Sequence, residues 1–203
     1  MLLVRHGKTP TTGVDLPGRA PGLGLAPDGR AQAEAAAERI GALGRRPVAV
    51  YASPLERTRQ TAAPIARALG LRVRTERGLL ECDVGDWTGR RLKTLAAKPE
   101  WAAVQRWPSG FRFPGGESFA EMSARANEAV LRLAAAHPGQ TVVAVSHADP
   151  IRAVVASAAG TPLDLFQRFV VAPCSVSAVL YGPHGTNVLC VNSTGTLAEL
   201  SLS

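Results

Sequence analysis

The stretch 141-TVVAVSHADP-150 places a run of apolar, mostly β-branched residues directly before a polar segment and a proline. A run this short and this uniformly apolar is typical of a strand that is buried on both faces of a sheet. Asp149 and Pro150 are predicted to be the N-cap and first residue of a following helix, over residues 151–159. His147 is therefore expected between a buried strand and a helix.

Two other apolar runs, at residues 2–5 and 47–52, resemble this strand. Apolar residues recur with helical spacing in three longer segments, 28–43, 54–69 and 117–137. The alternation of buried strands with helices predicts an α/β fold, a three-layer α/β/α sandwich with a mostly parallel central sheet. Ligands of such sheets bind beyond the carboxyl ends of the strands, so we expect the functional site there.

The length and composition are those of a globular protein. The chain has 203 residues, of which 46% are hydrophobic and 19% are charged. It is too apolar for a disordered chain and long enough to bury a core, so a single domain over residues 1–203 is expected. The chain has three widely spaced cysteines, no leader-like start and no apolar run long enough to cross a bilayer. These features predict a cytoplasmic protein without a membrane partner.

Arginine dominates the net charge of +7, and eight arginines lie between Arg45 and Arg77. Such a window would suit a nucleic-acid surface. Its one aromatic residue, Tyr51, offers little stacking for bases, so a solvated arginine-rich surface is the favoured interpretation and no nucleic-acid partner is expected. A nucleic-acid-binding or regulatory protein on the same fold is kept as an alternative.

The second predicted helix carries a capping-box pattern, in which Ser53 is the N-cap and Glu56 the third helical residue. This pattern places Arg57 in the first turn of the helix. The stretches 16–27 and 98–116 are rich in glycine and proline and are predicted to be surface loops.

Several common catalytic motifs fail in this chain. The 7-GKT-9 ending of a phosphate-binding loop lacks the glycine that the motif needs at Leu2, and Pro27 stands where a dinucleotide motif starting at Gly22 needs its third glycine. No serine lies in the G-x-S-x-G pattern of a hydrolase. The four histidines lack zinc-ligand spacing, so neither a metal nor another cofactor is expected.

The polar residues that follow the predicted strands form a coherent chemical set. Arg5 and His6 end the first strand, Arg57 lies in a helical turn, Glu81 lies in a loop and His147 follows a later strand. Two arginines and a protonated histidine would neutralise a phosphoryl group, since one guanidinium at about 4 Å contributes roughly 4 kcal/mol at an effective dielectric near 20. A neutral His6 would then attack phosphorus, and Glu81 would protonate the departing oxygen.

The same residues lie in four ordered motifs that resemble those of the histidine phosphatase superfamily, also called phosphoglycerate mutase-like. The motifs are strand-R-H-G at 3–7, S-x-x-x-R-x-x-Q-T-A at 53–62, E-x-x-x-G-x-W-x-G at 81–89, and Ser146-His147. A P-G-G-E-S segment at 114–118 also matches. The resemblance covers about three quarters of the chain and implies a phosphoglycerate mutase-like fold.

The resemblance implies a metal-independent transfer in which His6 becomes a phosphohistidine and Glu81 first donates a proton and then deprotonates water. The phosphoryl oxygens would be held by three side chains, Arg5, Arg57 and His147. The double duty of Glu81 requires a pKa near neutrality, so its side chain is expected to be partly desolvated or near another carboxylate, for which Asp83 is the close candidate by sequence.

Four further positions are candidates for substrate binding. Lys8 stands where the family commonly has an acidic residue or glutamine, and Thr12 where several relatives have asparagine. Ala148 replaces the glycine that mutases have after the second histidine and still offers its backbone N–H. Arg19 and Lys8 would recognise a carboxylate or second phosphate of the substrate, although surface charge is the default interpretation of both.

Hydrolysis is favoured over mutase activity. Cofactor-dependent mutases of the family carry a longer insertion before the P-G-G-E-S segment and a tail that shields the phosphoenzyme. Here only residues 90–113 fill the insertion, and residues 188–202 are predicted to be a final strand and its end. The expected function is a phosphomonoester hydrolase for a small phosphorylated metabolite, with a phosphoglycerate-type mutase as the alternative. The sequence indicates no oligomeric state.

Overall fold

A computed structural model describes residues 1–197 of the chain. The strands are, in chain order, β1 (Leu2–Arg5), β2 (Asp15–Leu16), β3 (Ala49–Ala52), β4 (Val73–Thr75), β5 (Arg90–Arg91), β6 (Val142–Ser146), β7 (Val176–Gly182) and β8 (Gly185–Ser193). The α-helices are α1 (Pro27–Gly41), α2 (Glu56–Leu69), α3 (Leu92–Ala96), α4 (Trp101–Arg106), α5 (Phe119–Ala136) and α6 (Ala148–Ala158).

Six strands form the central sheet in the order β4-β3-β6-β1-β7-β8. The first four of these strands are parallel to one another, and β7 and β8 continue the sheet in antiparallel fashion. The expected mostly parallel sheet is therefore confirmed. A separate antiparallel ribbon joins β2 to β5.

Alternate residues of the central strands face two different helical layers. On one face, Val143 of β6 lies in a buried cluster with Ile40 of α1 and Ile65 of α2. On the other face, Ala144 packs in a second cluster with Ile151 of α6, and α5 contributes further side chains to it. The predicted α/β/α sandwich is confirmed, because each face of the sheet buries its own apolar cluster.

A third cluster lies under the insertion that precedes α5, where Trp87 packs among phenylalanines and stacks on Trp101. The sequence predicted a surface loop over residues 98–116, and this prediction is wrong in part because α4 lies within it. Val104 and Trp101 give α4 an apolar side that packs into the cluster, which overrides the flanking glycines and prolines.

Two predicted helix caps are also wrong. The helix α2 has Leu55 as its N-cap, without a side-chain cap, and the Ser53 hydroxyl bonds to His147 instead. The helix α6 begins at Ala148, one residue after its N-cap His147, and Asp149 lies in the first turn. A tertiary contact therefore takes the Ser53 side chain, and an ion pair with Arg152 one turn later in the same helix takes that of Asp149.

The strand β8 occupies the first part of the predicted C-terminal segment, and its predicted end over 198–202 lies outside the described residues. Within residues 1–197, no helix combines the length and the apolar character that crossing a membrane requires.

Candidate active site

Two histidines that are far apart in sequence meet at the carboxyl end of the sheet. The parallel strands β1 and β6 are neighbours, and Arg5 pairs in register with Ser146. The backbone N–H of His6 donates to the carbonyl of Ser146 at 3.0 Å. The rings of His6 and His147 then lie edge to face with their centroids 5.2 Å apart.

The imidazole of His6 has one hydrogen-bonded nitrogen and one free nitrogen. Its Nδ1 lies 2.8 Å from the carbonyl oxygen of Gly7, and since a carbonyl only accepts, Nδ1 carries the hydrogen. The lone pair is therefore on Nε2. The side chain is buried, and burial followed by the charge of Arg57 lowers the pKa of His6 to about 3. His6 is thus a neutral base with one directed lone pair.

The backbone around His6 is fixed by close packing. The N–H of Gly7 donates to the Thr61 hydroxyl on α2 at 3.0 Å. A Cβ at position 7 would lie only 2.4 Å from the carbonyl oxygen of Gly29, so a glycine is needed where this loop meets α1.

The imidazole of His147 is held by a hydrogen bond to Ser53. His147 is 0% exposed, and its Nε2 lies 2.9 Å from the Ser53 hydroxyl oxygen. The N–H of Leu55 donates to that same oxygen at 3.5 Å, and in the tautomer in which the hydroxyl donates to Nε2 the ring hydrogen is on Nδ1. Within residues 1–197, Nδ1 is buried without a hydrogen-bond partner. In that tautomer His147 presents an N–H donor at Nδ1.

The expectation of a protonated second histidine is wrong. Burial lowers the pKa of His147 well below its ordinary value, and the charge of Arg57 lowers it further. The positive charge of the site comes from the arginines alone.

Two guanidinium groups supply the positive charge of the site. Arg57, in the first turn of α2, is 0% exposed and donates from Nη2 to the carbonyl of Gly18 at 2.8 Å. Arg5 donates from Nη1 to the carbonyl of Val171 at 2.6 Å. In the described part of the chain, Nε and Nη1 of Arg57 and Nε of Arg5 are buried without a hydrogen-bond partner. Each unpaired buried donor costs about 1–3 kcal/mol, so the site fits an anion that supplies acceptors.

The carboxyl group of Glu81 has the properties of a proton donor. Its side chain is half-buried, and one carboxyl oxygen accepts from the backbone N–H of Cys82 at 3.0 Å. Burial first, and then the negative charge of Asp149, raise the pKa of Glu81 to about 7, against the opposing charge of Arg57. The sequence named Asp83 as the neighbouring carboxylate, which is wrong, because Asp83 is paired with Arg19.

A partly buried ion-pair network anchors the backbone of the Glu81 loop. The Glu117 carboxylate accepts from Arg19 and twice from Arg125, each at 2.9 Å. The same two arginines donate to the carbonyl of Glu81, Arg19 at 2.8 Å and Arg125 at 3.4 Å. Sequence reasoning missed both Glu117 and Arg125 as site residues, although the P-G-G-E-S resemblance singled out the segment that carries Glu117.

The four predicted substrate-binding residues separate into two groups. Ala148 is the first residue of α6, so its N–H is among those that lack a helical partner beside His147. Arg19 instead directs all three guanidinium nitrogens to the Glu81 loop and its neighbours. The Thr12 hydroxyl is engaged with Thr9 in its own loop, and the Lys8 side chain is exposed. Of the four, the structure brings Ala148 to the histidines.

The arginine-rich window is dispersed by the fold. Seven of its eight arginines are exposed, and Arg57 alone is buried, at the histidine pair. Arg67 pairs with Glu34, and Arg74 lies over the ring of Tyr51.

The site combines a neutral imidazole base, buried cations with unpaired donors and a carboxyl group of raised pKa. This combination fits the class of enzymes that transfer phosphoryl groups. The family model of the histidine phosphatase superfamily (branch 1) matches residues 1–194, and the chain belongs to this superfamily. It is a phosphatase of phosphoglycerate mutase-like fold.

Relatives of the chain include both hydrolases and a mutase. It is 35% identical to phosphoserine phosphatase 1 of Hydrogenobacter thermophilus, over 98% of this chain and 94% of that one. It is 34% identical to a probable phosphoglycerate mutase, GpmB, of Cronobacter sakazakii, over 98% and 93% of the two chains. Three longer mycobacterial relatives match along 54% of their length. The native structure of mycobacterial glucosyl-3-phosphoglycerate phosphatase superposes with a TM-score of 0.85 at 27% identity, over 95% and 98% of the chains.

Proposed function

We propose that the chain hydrolyses phosphomonoesters of small metabolites through a phosphohistidine formed on Nε2 of His6. The observation that carries this proposal is the set of buried, unpaired donors on the arginines and the histidine that lie beside His6. Of the five buried side-chain nitrogen and oxygen atoms without a partner in residues 1–197, four belong to Arg5, Arg57 and His147. A phosphoryl group offers the oxygens that would pair them.

In the first step, the Nε2 lone pair of His6 attacks phosphorus and the bond from phosphorus to the ester oxygen breaks. The arginines and the Nδ1–H of His147 hold the phosphoryl oxygens, in a site whose charge is arranged before the substrate arrives. Glu81 gives its proton to the departing oxygen, which leaves as an alcohol. The hydrogen bond to the Gly7 carbonyl stabilises the charge that develops on the His6 ring.

In the second step, the Glu81 carboxylate takes a proton from water, and the resulting hydroxide attacks phosphorus. The bond from phosphorus to Nε2 breaks, inorganic phosphate leaves and His6 recovers its lone pair. The raised pKa of Glu81 suits both steps, because an acid with a pKa near the working pH donates and accepts with similar ease.

The relatives support a small phosphorylated metabolite as the substrate. Phosphoserine phosphatase 1 and glucosyl-3-phosphoglycerate phosphatase are both named for small phosphate esters. The mutase relative keeps phosphoglycerate mutase activity as a second candidate, in which an acceptor hydroxyl replaces water in the second step.

The test is turnover of p-nitrophenyl phosphate and O-phosphoserine in the presence of EDTA, with release of inorganic phosphate measured. We expect metal-independent hydrolysis that His6→Ala lowers by about a thousandfold or more. His137→Ala is the matched control, because His137 bonds to Tyr51 at the opposite end of the sheet and should leave turnover unchanged. Activity that survives in folded His6→Ala would refute the nucleophile, and isomerised phosphoglycerate in place of released phosphate would identify a mutase.

A further inference from the structure

The Arg5 loop, which consists of residues 169–175 and leads into β7, contacts Arg5 at three points. Nη1 of Arg5 donates to the carbonyl of Val171 at 2.6 Å. The N–H of Cys174 donates to the carbonyl of Arg5 at 3.0 Å, and the N–H of Arg5 donates to the carbonyl of Ser175 at 3.3 Å. Among the described residues, Nε of Arg5 is buried without a hydrogen-bond partner. The loop therefore holds Arg5 and leaves part of its guanidinium for a ligand.

One peptide group of the Arg5 loop is hydrogen-bonded on both of its polar sides. The carbonyl of Val171 belongs to the same planar peptide group as the N–H of Ala172. That N–H donates to Oδ1 of Asn192 at 2.7 Å. The bond fixes the direction in which the carbonyl points, and it polarises the carbonyl and strengthens it as an acceptor for Arg5. One rigid group thus connects the amide of Asn192 to the guanidinium.

We propose that Asn192 is a positioning residue for the reaction, which orients the guanidinium of Arg5 by holding the peptide group between Val171 and Ala172. The inference rests on the proposed phosphatase function, in which Arg5 binds the phosphoryl oxygens. Asn192 acts on the substrate only through this peptide group and Arg5.

Asn192 reaches the Arg5 loop because β8 contains a bulge. The register of β7 against β8 shifts between Val176 and Ala178. In this interval β8 has two residues and β7 has one, which is Ser177. The N–H of Asn192 donates to the hydroxyl of Ser177 at 3.2 Å. A bulge redirects a side chain, and here it leaves the amide of Asn192 bonded to the loop instead of to a strand.

The backbone of Asn192 adopts a conformation that few residue types tolerate. Its φ is 60°, and among the described residues other than glycine only Cys174, in the Arg5 loop, shares this left-handed region, with a φ of 55°. Asparagine tolerates the region better than most residues. Position 192 therefore needs both a residue that accepts a positive φ and a side chain that accepts a hydrogen bond. Aspartate meets both needs, and glycine meets only the first.

A second side chain holds β8 and the Arg5 loop together. Arg39 of α1 donates from Nη2 to the carbonyl of Cys174 at 2.9 Å. From Nη1 it donates to the carbonyls of Ser193 and Gly195, at 3.2 and 3.0 Å. These bonds link the end of β8 to the loop independently of Asn192. Loss of the Asn192 amide should therefore free one peptide group without unfolding the loop.

The first test is Asn192→Gly, which permits the same backbone conformation and removes the acceptor. We expect kcat/KM for p-nitrophenyl phosphate to fall about tenfold. The inhibition constant of orthovanadate, which resembles the phosphoryl group during transfer, should rise by a similar factor. An inhibition constant does not depend on the fraction of the protein that is folded, so lower stability alone would leave it unchanged.

Two matched variants serve as controls. Asn192→Asp keeps an oxygen that accepts from Ala172 and should stay within about twofold of the wild type in both measurements. Asn187→Gly makes the glycine substitution at an exposed position of the same strand, which pairs with Leu180. Its kinetics should match those of the wild type.

A combination with Arg5→Ala tests the route of the effect. If Asn192 acts through Arg5, Asn192→Gly should change kcat/KM by less than about twofold in a chain that already carries Arg5→Ala. The same loss of about tenfold in both backgrounds would show that Asn192 acts independently of Arg5, and it would overturn the inference.

Two other results would overturn the inference while the phosphatase proposal stands. One is an unchanged inhibition constant of orthovanadate in folded Asn192→Gly. The other is a loss in folded Asn192→Asp as large as that in Asn192→Gly. Failure of the phosphatase proposal looks different, because folded wild-type protein would then not hydrolyse p-nitrophenyl phosphate or would keep its activity in His6→Ala. That result would end the inference as well.

Discussion

The helix α2 buries two large side chains in opposite ways. Arg57 in its first turn and Ile65 two turns later are both fully buried. Ile65 packs with apolar neighbours from β3 and β6, and its burial stabilises the fold. Two guanidinium nitrogens of Arg57 find no partner among the described residues, so its burial opposes folding. The apolar part of the helix therefore stabilises a first turn whose buried cation opposes folding.

The same contrast holds between the two ends of the sheet. The carboxyl end carries the imidazoles and guanidinium groups described above. The amino end borders a cavity of about 430 Å³ with a largely apolar wall that includes Leu43, Val142 and Leu197. Substitutions at the carboxyl end should alter the rate of catalysis, and substitutions in the apolar core should alter the free energy of unfolding.

The largest expected effect on activity comes from replacing the charged side chain of Arg57, in the first turn of α2, with an apolar side chain. Arg57→Met should lower kcat/KM by about a thousandfold, because a preorganised donor to the phosphoryl oxygens is lost. Its free energy of unfolding should equal or exceed that of the wild type, since a buried cation with unpaired nitrogens is replaced by an apolar group. Steady-state kinetics and urea denaturation measure the two quantities.

Ile65→Ala is the converse test on the same helix. It should lower the free energy of unfolding by about 2–5 kcal/mol, because it leaves a cavity in the core. The kcat/KM of the folded fraction should stay within about threefold of the wild type. If Arg57→Met unfolds more easily than Ile65→Ala, the contrast between the two parts of α2 is incorrect.

A change of pH should reveal the raised pKa of Glu81. The first step needs the protonated carboxyl, so kcat/KM for alkyl phosphates should fall as the pH rises through about 7. The decline should approach tenfold per pH unit, whereas the pKa of His6, near 3, leaves its base form intact over this range. In Glu81→Gln the activity should be low and nearly independent of pH above 7. A wild-type profile that is flat between pH 7 and 9 would contradict the role of Glu81.

A smaller effect is expected from the network that anchors the Glu81 loop. Arg125→Met removes donors to Glu117 and to the carbonyls of the loop, so Glu81 should donate its proton less efficiently. We expect kcat/KM to fall about tenfold for methyl phosphate and hardly at all for p-nitrophenyl phosphate, whose leaving group needs little protonation.

Arg132→Met is the matched control for that variant. Arg132 lies two turns further along α5, and it forms ion pairs with Glu76 and Glu128 in more exposed surroundings. Its kinetics should match the wild type for both esters. Equal losses on both esters in Arg125→Met would indicate a general structural role instead of positioning of the proton donor.

The smallest effect should follow the loss of the Ser53 hydroxyl. Ser53→Ala removes the bond to Nε2 of His147, so the ring hydrogen is no longer fixed on Nδ1. We expect kcat/KM to fall by about three- to fivefold, with no change in the pH at which activity declines. A shift of that pH would place Ser53 in the environment of Glu81 instead.

Much of the fold was predictable because its strands are short, apolar and buried. Apolar periodicity placed β1 at its observed residues and located α1, α2 and α5 within a few residues of their ends. The helix α4 was missed because its apolar side packs against Trp87, a contact that local composition does not encode.

The sequence located residues that the fold brings together where a motif position specifies one residue type, as for His6, Arg57 and His147. The site was not predictable where function depends on which side chains meet in space. Ser53 has the sequence pattern of a cap but bonds to a histidine 94 positions away. The sequence does not tell which aspartate lies near Glu81. The fold brings Asp149 close enough to raise the pKa of Glu81, whereas Asp83 is paired with Arg19.

The central claim concerns a covalent bond to one nitrogen, and trapping that bond tests it most directly. Wild-type protein mixed with a phosphomonoester and quenched in alkali within the first turnover should carry one phosphate, stable to base and labile to acid. Mass spectrometry of the digested protein should place that phosphate on His6. Phosphate found on serine, cysteine or another histidine, or rapid turnover with no phosphoenzyme under quench conditions that preserve a phosphohistidine standard, would contradict the mechanism.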